Sequence, residues 1–151
     1  MKIKILHVGK IAPQFLDAVE HYSQKISRYA NIEFVAIKQG KELPPNEIIA
    51  LESERILKAV GNNDLLVALS EEGKTPDSIA FAKWFEEKSI LSKTIVFAIG
   101  GAYGLDSRIK KRADLIFSLS KMTFQHDVAL AVLVEQIYRT MTILRGEEYH
   151  K

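Results

Sequence analysis

The fold of this chain is best read from residues 94–104, TIVFAIGGAYG. The first six residues are almost wholly apolar and rich in β-branched and aromatic side chains, a pattern typical of a strand buried on both faces. The glycines that follow allow a tight turn or a close approach of the backbone to a ligand. Residues 65–69, LLVAL, form a second run of the same kind. Two such strands indicate a parallel sheet that is covered by helices on both faces.

Strands and helices alternate on either side of these two runs. Further strands are predicted at residues 3–8, 32–37 and 113–119, and helices at residues 13–29, 46–60, 107–112 and 127–145. Another helix follows Thr75, its expected N-cap, and Thr123 or Asp127 is expected to cap the last helix. This alternation predicts an α/β three-layer sandwich with a mostly parallel sheet, in one domain spanning residues 1–151. Ligands in such folds bind beyond the carboxyl ends of the strands, where residues 70–74, 100–104 and 120–126 are expected to form loops.

The composition excludes several classes of protein. Of the 151 residues, 47% are apolar and 26% charged, which argues against disordered and fibrous proteins. No apolar run reaches the roughly 18 residues of a membrane helix, and the first residues lack the apolar stretch of a signal peptide. The absence of cysteine excludes disulfides, a thiolate nucleophile and a cysteine-based zinc site. His7, His21 and His126 lack metal-ligand spacing, so we expect no metal site. The missing signal peptide, membrane helix and cysteines together predict a cytoplasmic protein without membrane association.

The net charge of +2 is unevenly distributed along the sequence. Residues 1–45 and residues 93–151 each carry +3, whereas residues 46–92 carry −4. A basic face built from the two ends could meet phosphate, although an ordinary solvated surface explains the same charges. The basic residues that we consider for phosphate contact are Lys10, Arg108, Lys110, Lys111 and Arg112.

Two glycine patterns resemble nucleotide-binding loops without matching them. In residues 100–104, GGAYG, the first two glycines are adjacent, whereas the dinucleotide fingerprint separates them by one residue. No acidic residue follows about 20 positions later, which disfavours a nicotinamide oxidoreductase. Residues 73–75, GKT, lack the earlier glycine of a phosphate loop, and Glu71 and Glu72 would repel a triphosphate. Residues 100–104 therefore predict either contact with another ligand or a simple tight turn.

Two further segments carry chemistry. Residues 118–126, SLSKMTFQH, combine hydroxyls, a lysine, a methionine and an aromatic ring, which suits a ligand with apolar and polar parts. A plain helix cap is the competing interpretation. The tail contains Tyr149 and His150, which can handle protons, although a frayed terminus explains it equally. Glu135 and Arg139, four residues apart, predict a surface ion pair or an arginine that is directed at a ligand.

Taken together, residues 99–105, residues 119–126 and residues 135–139 followed by Tyr149-His150 closely resemble the RlmH family in order and spacing. These proteins are SPOUT-class methyltransferases that modify 23S ribosomal RNA. Residues 2–10 are also similar to the first strand of that family, so the resemblance covers essentially the whole chain. Gln125 departs from it, because the family usually has proline there. The change frees a backbone N–H and loosens φ where the loop joins the helix.

The resemblance implies more than the pattern shows. The C-terminal part would be threaded into a deep trefoil knot, and the protein would be a homodimer that packs partly through its last helix. The reaction would be S-adenosylmethionine-dependent methylation of N3 of a pseudouridine in 23S rRNA, on the assembled 70S ribosome rather than on free RNA or DNA. Carried over residue by residue, the cofactor contacts would be Leu69, Gly100, Leu119, Ser120, Lys121, Met122, Thr123 and Phe124.

The reaction requires removal of the N3 proton, which a general base would assist. His150, Tyr149 and His126 are candidates, and we favour a mobile Tyr149-His150 tail that closes over the target base. Arg139 is expected to support the negative charge that develops on the imide or to contact a phosphate. Two alternatives remain open: a non-catalytic ribosome-associated RNA-binding protein of the same fold, and a SPOUT methyltransferase with another RNA target.

Overall fold

The computed structural model describes residues 1–92 and 94–151. Strands and helices alternate as the sequence predicts, with one helix after each strand. The strands are β1 (Lys2–Val8), β2 (Asn31–Ile37), β3 (Leu65–Lys74), β4 (Thr94–Ile99) and β5 (Leu115–Phe117). The helices are α1 (Pro13–Ile26), α2 (Pro45–Ala59), α3 (Ser78–Leu91), α4 (Ser107–Arg112) and α5 (His126–Leu144).

The five strands form one sheet in the order β2-β1-β4-β3-β5, and each neighbouring pair is parallel. Ile5 in β1 lies between Phe34 of β2 and Phe97 of β4, which fixes the register at the centre of the sheet. Because all pairs are parallel, the carboxyl ends of the strands share one edge. The loops that follow the strands therefore meet at that edge.

Alternate residues of the strands pack into two separate apolar cores. Ile5 and Phe97 face the side that is covered by α1, α3 and α5, whereas Leu6 and Ala98 face α2 and α4. Helix α5 lies between α1 and α3 and packs against both. The predicted three-layer α/β sandwich is thus confirmed. In the described part of the chain, no helix is both long and apolar enough to cross a membrane.

Strand β3 differs from the prediction because it does not end at residue 69. Leu69 and Lys74 both pair with Phe117, so residues 70–73 bulge out of the strand and the pairing then resumes. The Ser118 N–H donates to the Lys74 carbonyl at 2.8 Å and continues the pairing. A Cβ atom on Gly73 would lie 2.5 Å from the Ile116 carbonyl oxygen, so glycine is required at that close approach. The prediction of a loop at residues 70–74 is therefore wrong, because these residues belong to β3 as a bulge that ends in renewed pairing at Lys74.

Two helix caps also differ from the prediction. The side chain of Asp77, rather than that of Thr75, caps α3 by accepting from the Ala80 N–H at 2.7 Å. Gln125, rather than Thr123 or Asp127, caps α5, since its Oε1 atom accepts from the Val128 N–H at 3.3 Å. Gln125 has a φ of −59°, close to the roughly −65° that proline imposes. The glutamine therefore keeps the backbone shape of a proline while it adds a cap.

Candidate functional site

A cleft of about 600 Å³ opens at the carboxyl ends of β3 and β4 and beneath the loop that follows β5. Its volume lies within the range of small-molecule binding sites. Its walls come from residues 69–71, 99–104 and 122–126, together with Leu119 and Ala129. The three loops predicted to leave the strand ends thus contribute to one cavity.

The glycine loop forms the floor of the cleft by folding back on itself. Gly101 and Gly104 form an antiparallel bridge, with the Gly104 N–H donating to the Gly101 carbonyl at 3.1 Å. A Cβ atom on Gly100 would lie 2.6 Å from backbone atoms of Gly104, and Gly104 itself has a φ of +81°. These contacts explain why the sequence needs glycine at these positions. The loop also brings Ala102 and Tyr103 to the lining of the cleft.

The loop after β5 is shaped by its serines. The Ser118 hydroxyl donates to the Ser120 carbonyl at 2.7 Å, and the Ser120 Oγ atom accepts from the Met122 N–H at 3.0 Å. Ser120 and Lys121 lie outside the lining of the cleft, although both were expected to contact the cofactor. The other expected contacts line the cleft: Leu69, Gly100, Leu119, Met122, Thr123 and Phe124.

The first turn of α5 places an imidazole beside a buried carboxylate at the edge of the cleft. His126 lines the cleft, and its Nε2 atom lies 3.4 Å from Oδ1 of Asp127. Asp127 is only 2% exposed, and its Oδ2 atom accepts from the Ala12 N–H at 3.2 Å. Within residues 1–92 and 94–151, its Oδ1 atom is buried and makes no hydrogen bond. From the sequence, Asp127 was predicted only as a possible cap of α5, although it directly follows His126.

A second histidine, His7, which was not among the predicted catalytic residues, lies near enough to Asp127 to feel its charge. His7 at the end of β1 is 6% exposed. Burial lowers the pKa of His7 below its ordinary value of 6.5, and a backbone hydrogen bond with Gly9 and the charge of Asp127 oppose that shift. His7 is therefore more readily kept neutral than a histidine in water.

The tail packs against the other end of α5. Glu135 Oε1 accepts from Arg139 Nε at 3.1 Å, from Arg139 Nη2 at 2.5 Å and from the Tyr149 hydroxyl at 2.9 Å. Its second oxygen accepts from the Gln136 amide at 2.7 Å. The Glu135–Arg139 ion pair that the spacing predicted is therefore present. This end of α5, with Glu135, Arg139, Tyr149 and His150, is called the tail cluster below.

Contacts within the tail cluster determine the protonation state of Tyr149 and the tautomer of His150. Burial, followed by hydrogen bonds to Tyr22 and Glu135, raises the pKa of the Tyr149 hydroxyl far above its ordinary value. Tyr149 therefore stays protonated at neutral pH and acts as a donor rather than as a base. The Nδ1 atom of His150 lies 3.3 Å from Arg139 Nη1. Because arginine only donates, this contact requires the His150 tautomer that carries its proton on Nε2.

The four expected catalytic residues fall into two groups. His126 lies at the cleft, whereas Arg139 is 13 residues further along α5, a distance of about 20 Å at 1.5 Å per residue. Tyr149 and His150 lie beside Arg139. Within one chain, the structure therefore does not bring the tail to the cleft.

The basic run of α4 is largely neutralised within the chain. Arg108 pairs with Asp106 at 2.8 Å, and Lys110 pairs with Glu72 at 2.8 Å. Arg112 lies 3.3 Å from Asp114. The same helix leaves Lys111 exposed, and Lys10 lies elsewhere, after β1.

Comparison with known proteins agrees with this architecture. A family profile described as "Predicted SPOUT methyltransferase" matches residues 1–150. The chain belongs to the SPOUT methyltransferase family. It is 41% identical, over 159 aligned positions that cover 100% of both chains, to the ribosomal RNA large subunit methyltransferase H of Streptococcus pneumoniae strain CGSP14. The protein of the same name in the serotype 4 strain TIGR4 shows the same identity and coverage.

These findings confirm the family that the sequence motifs indicated, and with it the methyltransferase class of enzyme. The trefoil knot that the family implies stays a prediction. In the residues that the structure describes, no group of three or more His, Asp or Glu side chains is arranged to hold a metal ion.

Proposed function

We propose that this protein transfers a methyl group from S-adenosylmethionine to N3 of a pseudouridine in 23S rRNA, on the assembled ribosome. The observation that carries the proposal is the cleft, which joins the glycine floor to the loop of residues 119–126 in a chain of this family. We further propose that the protein works in the cytoplasm as a homodimer whose residues 1–151 act as one domain.

The cleft fits the proposed methyl donor in size and chemistry. Its volume of about 600 Å³ suits a ligand that combines a nucleoside with an amino acid. Met122 and Phe124 are 76% and 37% exposed and offer apolar surface to such a ligand. Thr123 adds a hydroxyl, and Glu71 adds a negative charge that suits a positively charged sulfonium. Once bound, the donor supplies an electrophilic methyl group that needs no metal for activation.

The protein's first task is alignment. The nucleophilic nitrogen has to approach the methyl carbon in line with the departing sulfur, and positioning of this kind lowers a barrier by up to about 7–11 kcal/mol. The floor of residues 100–104 is fixed by backbone contacts, which keeps the donor side of this geometry rigid. The task of the opposite loop, residues 119–126, is to close over the ligand.

The second task is removal of the N3 proton, which we assign to His126. Its Nε2 atom faces the otherwise unsatisfied Oδ1 atom of Asp127, so a proton on Nε2 would be held by that carboxylate. The ring's Nδ1 atom would then be the nitrogen that accepts a proton. A base placed in this way typically contributes about 10²–10⁴-fold to a rate.

The tail cluster would contribute across a dimer. Val128, Val132, Glu135 and Arg139 follow a spacing of three and four residues, and all are half-buried on α5. In a two-fold dimer that packs antiparallel α5 helices along this face, the C-terminal end of one helix lies beside the N-terminal end of the other. Arg139 and His150 of one protomer would then approach the cleft of its partner and support the charge that develops on the imide.

The direct test is to incubate the purified protein with radiolabelled S-adenosylmethionine and ribosomes that lack the modification, and to map the label on the large-subunit RNA. We expect label at N3 of the pseudouridine in the hairpin near the decoding centre. Binding of the donor without this label would favour a methyltransferase with another RNA target. Neither label nor donor binding would favour a non-catalytic ribosome-associated protein.

A further inference from the structure

A second cavity lies at the same edge of the sheet, at the carboxyl ends of β1 and β2. Its volume is about 860 Å³, and it is lined by residues 36–41 together with Gly9, Lys10, Leu51 and Arg55. Four of the lining side chains are cations and none is acidic: Lys10, Lys38, Lys41 and Arg55. These four residues are called the basic pocket below.

The cations of the basic pocket are unpaired, unlike those of α4. In the part of the chain that the structure describes, none of the four lies within ion-pair distance of a carboxylate. Three of the four cations of α4 are paired in this way. Four unpaired positive charges around one concavity repel each other and attract an anion. The four charges therefore give this pocket a positive potential of its own, although the whole chain carries only +2.

The wall of the basic pocket is held in a fixed shape. Arg55 Nη1 donates to the Lys38 carbonyl at 2.7 Å, and the Gly40 N–H donates to Oε2 of the buried Glu52 at 3.0 Å. A Cβ atom on Gly101 would lie 2.8 Å from the other Glu52 oxygen. Glu52 therefore packs between the pocket wall and the glycine loop of the cleft, so the two cavities share a structural support.

The two cavities are close enough to serve one nucleic acid strand. The basic pocket lies between β2 and β1, and the cleft lies between β4 and β3, in a sheet ordered β2-β1-β4-β3-β5. The centres of the two cavities are therefore separated along the edge of the sheet by two strand spacings, or about 10 Å. We propose that the basic pocket binds a backbone phosphate of the RNA whose base enters the cleft, an inference that rests on the proposed function. Lysine and arginine contacts of this kind set the register of a nucleic acid without reading its sequence.

The test compares two matched double variants. Lys38→Gln/Lys41→Gln removes two charges from the pocket, and Lys83→Gln/Lys88→Gln removes two from helix α3. Co-sedimentation with ribosomes that lack the modification would be measured at several salt concentrations. We expect the pocket variant to bind at least about tenfold more weakly, with a log–log salt dependence that is shallower by about 0.7–0.9 for each phosphate that it no longer neutralises. The α3 variant should match the wild type.

The outcomes separate this proposal from the proposed function. Equal ribosome binding by the two double variants would overturn the phosphate site, whether or not methyl transfer occurs. Ribosome binding that depends on Lys38 and Lys41 without methyl transfer would support the pocket and refute the proposed reaction. Calorimetry with S-adenosylmethionine and thermal melting, unchanged in the pocket variant, would show that its cleft and fold are intact.

The wild-type protein would also be titrated with inorganic phosphate at constant ionic strength, with the amide signals of Gly9 and Gly40 followed by NMR. Saturable binding of phosphate there, combined with ribosome binding that is unaffected in the Lys38→Gln/Lys41→Gln variant, would assign the pocket to a small free anion and overturn the proposal.

Discussion

Helix α5 carries two carboxylates beside candidate catalytic residues, Asp127 in its first turn and Glu135 in the tail cluster, and the two differ in how fully they are hydrogen-bonded. At the N-terminal end, Oδ1 of Asp127 is buried without a hydrogen bond, and the His126 ring lies 3.4 Å from it. In the tail cluster, Glu135 accepts hydrogen bonds from three side chains.

This difference separates a carboxylate oxygen that is free to accept a further hydrogen bond from a carboxylate whose acceptor atoms are occupied. A buried oxygen without a hydrogen bond costs free energy, and it favours any neighbour that brings it a proton or a positive charge. The fully bonded Glu135 gains little from such a change. We therefore place proton transfer at the N-terminal end of α5 and a structural role, with charge support in a dimer, at the C-terminal end.

The comparison is tested most strongly by His126→Asn. Asparagine keeps a polar side chain of similar size but cannot take up the N3 proton, so we expect kcat to fall by about 10²–10⁴-fold. Single-turnover methyl transfer would measure the rate, and calorimetry the affinity for the donor. The control is His21→Asn, on the exposed side of α1. A kcat within a few-fold of the wild type would remove His126 as the base.

The second test addresses the tail. His150→Ala should lower kcat by about a hundredfold if Arg139 and His150 support developing charge, with the affinity for the donor nearly unchanged. Undiminished turnover would mean that the tail is not catalytic.

A mixed dimer then shows which cleft the tail serves. Co-expression of His126→Asn and His150→Ala chains with different tags, followed by purification of the mixed dimer, should restore one complete site of two, or about half of the wild-type rate. A mixed dimer as inactive as its parents would show that the tail does not act across the interface.

The third test asks whether the tail cluster is structural. Tyr149→Phe removes the hydroxyl that bonds Glu135 and Tyr22, and we expect the free energy of unfolding to fall by about 1 kcal/mol. Urea denaturation would measure this decrease, with Tyr103→Phe, which is exposed, as the control. Because Tyr149 stays protonated, kcat should fall much less than in His150→Ala. The opposite pattern, an unchanged stability with a large decrease in kcat, would contradict the structural assignment.

The smallest expected effect is that of His7, which lies near the Asp127 carboxylate, on the pH dependence of stability. Its folded-state pKa lies below the ordinary 6.5, so the unfolded chain takes up a proton first as the pH falls. The free energy of unfolding is therefore at its full value above about pH 6.5. It decreases as the pH falls from there to the lowered pKa of His7, with a slope of at most about 1.4 kcal/mol per pH unit.

His7→Gln should flatten this part of the profile in urea denaturation between pH 5 and pH 8, whereas His21→Gln should leave it unchanged. Identical slopes for all three proteins would show that burial of His7 does not couple folding to pH.

The sequence predicted the elements that depend on local pattern. The apolar runs at residues 65–69 and 94–99 form adjacent central strands, and the periodic apolar face of α5 packs in the core. The continuation of β3 through Lys74 was missed because residues 70–73 are polar and their place is set by Phe117, which lies far along the chain. Pairing of this kind leaves no signal in local periodicity.

The sites were predictable to a similar extent. The three loops of the cleft follow from where the strands end, but the burial of Asp127 depends on the distant Ala12 N–H. Of the four residues of the basic pocket, only Lys10 was predicted from the sequence as a phosphate contact, because the run of residues 108–112 looks more basic. Its neutralisation involves Glu72, about 40 positions earlier, which only the folded chain brings near.

The central place of α5 among the helices has a consequence for how the chain is made. Residues of α5 cover the apolar face of β1, β3 and β4 from a position between α1 and α3. During synthesis that face stays open to water and to chaperones until residues 126–144 have emerged, after all five strands have been made. The nascent protein therefore gains most of its cooperativity once α5 has emerged, and termination before α5 should yield a chain destined for degradation rather than a smaller working enzyme.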